Sequence, residues 1–165
     1  MALKGDREIY ESRVDCFLNE AGTPGCICSF STYGSGISMD NTKQLVTIAA
    51  DPSGKKIAGV LVDKVVDIDT TRQFLNTQKD EVVKGSKVHL IKEGWIVTDK
   101  IETGTITGGE AAYVGHSGLF ATAAAIAAYG CAVTEEANAT KFPMVGRFVT
   151  TKDELSYCKI DVVIK

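Results

Sequence analysis

The sequence predicts a mainly β protein, a small antiparallel β-barrel or sandwich with tandem hairpins, an N-terminal arm and at most one or two short helices. Three observations carry this. Residues 81–122 contain one pattern twice: Gly85 and Gly94 frame the first copy, and Gly109 and Gly118 the second. Each copy reads glycine, short apolar run, polar break ending in glycine, second apolar run, which is how a β-hairpin looks in sequence. Glycine suits such breaks because turn positions often need φ > 0. The second observation is punctuation: 16 glycines against 3 prolines fit many tight turns better than a linker. The third is that the apolar runs elsewhere are strand-sized and separated by turn chemistry.

Taken in order, residues 1–20 are polar and charged, with Tyr10, Val14, Phe17 and Leu18 at helical spacing. The spacing fits a short amphipathic helix or, alternatively, an extended arm lying on something else. Asn19 to Gly25 is a turn-rich break, Gly25 to Tyr33 a weak strand, and Gly34-Ser35-Gly36 a flexible connection. The expected organisation is therefore an arm with a lead-in strand over 1–44 and a β domain over 45–165. In that domain Leu45 to Ala50 and Ile57 to Val62 read as strands around the turn Asp51-Pro52-Ser53-Gly54. Val65 to Ile68 continues the second strand, and 70–80 reads as a polar loop. After the two hairpins, alanine-rich 121–128 with Gly130 behind it suits a short helix with a glycine stop. The same small residues would equally suit a close subunit contact. A polar loop over 134–141 follows, then strands over 144–150 and 157–164.

A chain of 165 residues is most simply one domain with a core. The formal charge of −3 argues against a nucleic-acid partner, which calls for a basic face. No apolar run approaches the length of a membrane span, and the first residues lack the apolar segment of a secretion signal. The five cysteines are accordingly expected as reduced thiols. Asn138-Ala139-Thr140 matches a glycosylation acceptor only by chance in that setting, and Lys152 to Leu155 spells KDEL internally, where it is no address.

Candidate chemistry is sparse. Cys26-Ile27-Cys28 lacks the second ligand pair of a zinc site, so these cysteines read as small hydrophobes. Cys131 and His116 could form a thiol–imidazole pair in space, but nothing local marks either, and His116 reads as an exposed turn residue. His89 should face away from Val88 and Leu90 on its strand. Asp63, Asp67 and Asp69 read as the polar positions of a solvated strand rather than a cation site. Gly34-Ser35-Gly36 lacks the rest of a phosphate loop. Trp95, the single tryptophan, is a rim-of-core aromatic or an interface anchor. No cofactor, metal or enzymatic activity is expected.

The runs GVLVDKVVDID, VVKGSKVHLIKEGWIVTDKI, ITGGEAAYVGHSGLF and VGRFVTTKDELSYCKIDVVI, in that order, resemble the head decoration (cement) proteins of tailed bacteriophages over roughly residues 45–165. The resemblance implies a β-tulip-like domain that is a structural virion protein on the outer capsid surface. It would stabilise the expanded shell by bridging capsomers, with the major capsid protein and itself, as a homotrimer, for partners. Nucleic acid and membrane are not among the expected partners. The arm would then supply capsid contacts through Leu3, Lys4, Arg7, Tyr10 and Arg13, with Trp95, Ala124 and Ala128 at a subunit interface. The alternatives are another virion part, a head-fibre base or a tail-tube subunit, and then a small cysteine enzyme.

Overall fold

The longest strand, Lys87–Thr98, has hydrogen-bonding partners along both edges, and the remaining strands are arranged around it. The structure, a computed structural model, describes residues 9–31, 44–64, 82–131 and 141–164. In chain order the strands are β1 (Ile9–Leu18), β2 (Ile27–Phe30), β3 (Leu45–Ile48), β4 (Ile57–Lys64), β5 (Lys87–Thr98), β6 (Ala111–Val114), β7 (Phe120–Ala121), β8 (Met144–Phe148) and β9 (Cys158–Val163). A helical turn at His116–Gly118 joins β6 to β7, and helix α1 (Ala123–Ala128) follows β7. Thr122 caps α1 by accepting the Ala125 N–H at 3.2 Å, and Gly130 (φ 78°) lies just beyond its end.

The strands pair in the order β1-β3-β2-β4-β5-β9-β8-β6-β7, and a further β1–β5 pairing closes the first five into a ring. The fold is thus mainly β, as expected, but it is a closed five-stranded ring carrying a four-stranded wing. An odd ring cannot be antiparallel throughout, because strand direction must alternate and an odd count returns to its start out of phase. The mismatch falls at β1–β3, which is parallel, with Phe17 opposite Leu45 and Leu18 opposite Val46.

Each ring strand sends side chains into the interior: Cys16 and Leu18, Cys28, Val46, Ala58 and Leu61, Val88 and Leu90. A five-stranded ring is narrow. Cysteine and alanine at three of these positions fit that bore, and all five cysteines are free thiols. Ile27, Val60 and Ile91 point the other way, into a second core. There they meet Ile96 further along β5 and Val114, Phe120, Phe148, Ile160 and Val162 of the wing strands. The β6–β7 connection braces wing to ring: Ser117 and Gly118 donate their N–H groups to Ala50 and Ala49, each at 2.9 Å. Gly118 has φ 70°, and a Cβ there would stand 2.8 Å from the Ile27 carbonyl oxygen, so only glycine fits.

Two expectations are corrected. The first expected hairpin is one continuous strand, β5, and its polar Lys92-Glu93-Gly94 break is not a turn. At that point one edge of β5 exchanges partners, from β4 (paired to Val88–Ile91) to β9 (paired to Glu93–Thr98), while β1 stays on the other edge. Partners on both sides hold the chain extended through a segment whose composition suits a turn. The second hairpin is present as β6–β7, with Val114 opposite Phe120. The other correction is that residues 9–18 are a strand between β3 and β5, neither a helix nor an arm free of the sheet. The Tyr10, Val14, Phe17, Leu18 spacing fits a helix, but Cys16 and Leu18 at strand spacing fill the ring. The expected strand 65–68, the loops over 70–80 and 134–140, and Gly34-Ser35-Gly36 lie outside the described residues.

Candidate functional site

The outer face of the wing gathers the side chains best suited to contact another protein. Strand alternation puts Glu93, Trp95 and Val97 of β5 on that face, beside Lys159, Asp161 and Val163 of β9 and Arg147 of β8. The register aligns Trp95, Asp161, Arg147 and Ala111 in one row across four strands. The opposite residues, Ile96, Ile160, Phe148 and Val162, are fully buried beneath it.

Lys159 Nζ lies 3.6 Å from the centroid of the half-buried Trp95 ring, a cation–π contact that holds the indole against the sheet. On one side of this pair is an open hollow of about 490 Å³ lined by Met144, Gly146, Arg147, Asp161 and Val163. On the other is one of about 570 Å³ lined by Trp95, Val97, Thr150, Lys152, Tyr157 and Lys159. Met144 is 56% exposed and Leu155, in the turn beyond, 70%, both high for apolar side chains. Trp, Tyr, Met and Arg among alternating charges is the composition of protein–protein contacts. The internal KDEL run forms that turn: Asp153 Oδ1 accepts the N–H groups of Leu155 and Tyr157 at 2.9 and 2.8 Å.

At the far end of the wing a buried carboxylate organises the β6–β7 connection. Glu102 is 6% exposed. Its Oε1 accepts the His116 backbone N–H at 2.7 Å and its Oε2 the Tyr129 hydroxyl at 3.0 Å. Lys152 Nζ donates to the Glu102 carbonyl at 3.0 Å, tying the β8–β9 turn to the same point. The His116 ring stands edge-on to Tyr129 and Phe142, with centroids 4.8 and 5.5 Å away. The hydrogen bond to Glu102 raises the Tyr129 hydroxyl above its ordinary value, since the neutral phenol is the donor. Sequence reasoning missed Glu102 and Tyr129. Their partners are 14 and 27 residues away, and no local pattern marks them.

Among the residues singled out from sequence, Trp95 is on the wing face. Ala124 and Ala128 are exposed on α1, which packs through Ile126 and Ala125 with Ala121, Phe142 and Tyr113. Arg13 is exposed on β1, and the Tyr10 backbone pairs with Gly94. Leu3, Lys4, Arg7 and the Tyr10 side chain lie outside the described residues, as do Asp67 and Asp69. His89 does face away from the ring core, with Nε2 3.3 Å from Asp15 Oδ1. His116 is half-buried rather than an exposed turn residue, because its ring fills the space beside Tyr129 and Phe142. Cys131 packs near Phe142, but no hydrogen bond joins it to His116 among the described residues. Burial pushes the Cys16 thiol up to about 11 and raises Cys26, Cys28 and Cys158, the opposite of an activated nucleophile. Among the described residues no group of His, Cys, Asp and Glu is placed to hold a metal ion.

Against known proteins, the fold is similar to the crystal structure of the head fibre gp8.5 N base of bacteriophage phi29. The TM-score is 0.51 at 12% sequence identity, over 93% of this chain and 95% of that one. No family model and no curated protein matches the chain. At this identity the likeness speaks for the fold.

Proposed function

We propose that the chain is a structural protein of a tailed-phage virion that sits on the outside of the head and works through protein contacts rather than catalysis. The observation that carries the reading is the fold shared with a phage head-fibre base over nearly the whole of both chains. The wing face supports it, since a row of half-buried Trp95 with exposed Asp161 and Arg147, flanked by exposed Met144 and Val163, suits a lattice of neighbours. Such a protein needs only a modest interface per copy, because many copies on one shell add their effects.

Within this reading, the base of a head appendage is favoured by the phi29 likeness, and capsomer-bridging decoration by the resemblance of residues 45–165 to cement proteins. Both imply the major capsid protein as a partner and self-association, with a trimer as the expected state. The test is cosedimentation of the purified protein with expanded heads lacking it. Saturable, stoichiometric pelleting is the expected result, and folded protein left entirely in the supernatant would sink the reading. Sedimentation velocity of the free protein reads out the trimer, and occupancy per capsomer separates an appendage base from a bridging cement.

A further inference from the structure

The partner exchange on β5 leaves a wedge. β4 pairs with β5 only as far as Val60 opposite Ile91, and β9 begins its pairing at Val163 opposite Glu93. Between them the strands diverge, with Lys92 at the apex, its carbonyl accepting the Ile164 N–H at 2.9 Å. The groove holds about 500 Å³, the size of pockets that take ligand side chains. Its floor is apolar, built from Phe30, Ile57, Pro143, Met144, Val145 and Ile164, and Ile57 and Ile164 continue into the wing core. Its rim carries Lys55, Lys56 and Lys92. Among the described residues no carboxylate pairs with any of these three ammonium groups, although the chain as a whole carries a formal charge of −3.

We propose that this groove binds an extended polypeptide segment of a partner in which carboxylate side chains alternate with apolar ones. An extended strand sends successive side chains to opposite sides. Apolar side chains would enter the floor while the intervening carboxylates reach the lysine rim. Burying Phe30, Ile57 and Met144 supplies the hydrophobic contribution, and three ammonium groups select against basic segments by like-charge repulsion. A nucleic acid satisfies the lysines but leaves the apolar floor unfilled. The inference does not depend on the head-attached reading, since it follows from the groove alone.

The experiment is fluorescence anisotropy of a labelled peptide, Asp-Leu-Asp-Leu-Asp-Leu, titrated with the full chain. Saturable binding is expected, weakening as salt rises, with no binding of the peptide carrying Lys in place of Asp. The K55E/K56E/K92E variant should bind about tenfold more weakly or worse, and so should M144D, both with unchanged thermal melting. Lys55, Lys56 and Met144 are exposed and Lys92 is half-buried, and the melting measurement checks that each variant keeps the fold. Absence of saturable binding, equal binding by the triple variant, or displacement of the peptide by a single-stranded oligonucleotide at lower concentration than by unlabelled peptide would overturn the proposal.

Discussion

Leu90 and Ile91 are adjacent in β5 and both fully buried, yet they belong to different cores, Leu90 to the ring interior and Ile91 to the wing. A strand buried on both faces couples the two. Leu90→Ala and Ile91→Ala should each cost about 2–5 kcal/mol and still give one cooperative transition in denaturant. Two separated transitions would mean that ring and wing fold independently.

Gly146 of β8 lies opposite Val162 of β9. A Cβ at this position would overlap the Asp161 carbonyl oxygen, which is backbone and cannot swing aside. Gly146→Ala should therefore cost about 3 kcal/mol, measured by urea unfolding. Exposed Gly54, with open space around it despite its φ of 70°, serves as a comparison, and Gly54→Ala should cost less.

Glu102 holds two donors from distant parts of the wing. Glu102→Ala leaves the His116 N–H and the Tyr129 hydroxyl without their acceptor and should destabilise by about 1–3 kcal/mol. Glu102→Gln, which keeps an acceptor, should cost less. Ultraviolet titration of the native protein should show the Tyr129 phenol ionising above its ordinary 10.0, and Glu102→Gln should bring it back down.

The thiols predict an alkaline limit. Cys16 is held neutral in the fold, its value raised from 9.0 to about 11 by burial, with Asp15 adding to the effect. A raised folded value gives stability that is fully present below pH 9 and lost as pH rises through about 11. Tyr129 acts in the same direction. Unfolding free energy measured across the alkaline range should be level below pH 9 and fall above it. At pH 8, Ellman's reagent should reach at most Cys131 in the native protein, with Cys16, Cys26, Cys28 and Cys158 reacting only after unfolding.

The sequence carries the strand content well. Alternation and turn residues place β4, β6–β7, β8 and β9, and the alanine run followed by Gly130 places α1. What misleads is a residue's ambiguity between roles that only tertiary partners decide. Gly94 belongs to a strand because β1 and β9 hold both edges of β5, and both partners come from far along the chain. Residues 9–18 carry apolar positions that satisfy a helix and a strand, and closure of the ring selects the strand. Of the wing face only Trp95 stands out in sequence, because Lys159, Asp161 and Arg147 become its neighbours through register alone. The lysine groove is equally hidden, since its rim joins residues 55, 56 and 92 across a split between strands.

The most direct test is a cryo-electron microscopy difference map of expanded phage heads with and without the purified protein. The account predicts added density on the outer surface, repeating at one kind of lattice position and fitted by the ring-and-wing fold, with Trp95→Ala reducing its occupancy. Heads that stay bare in the presence of folded protein would contradict it.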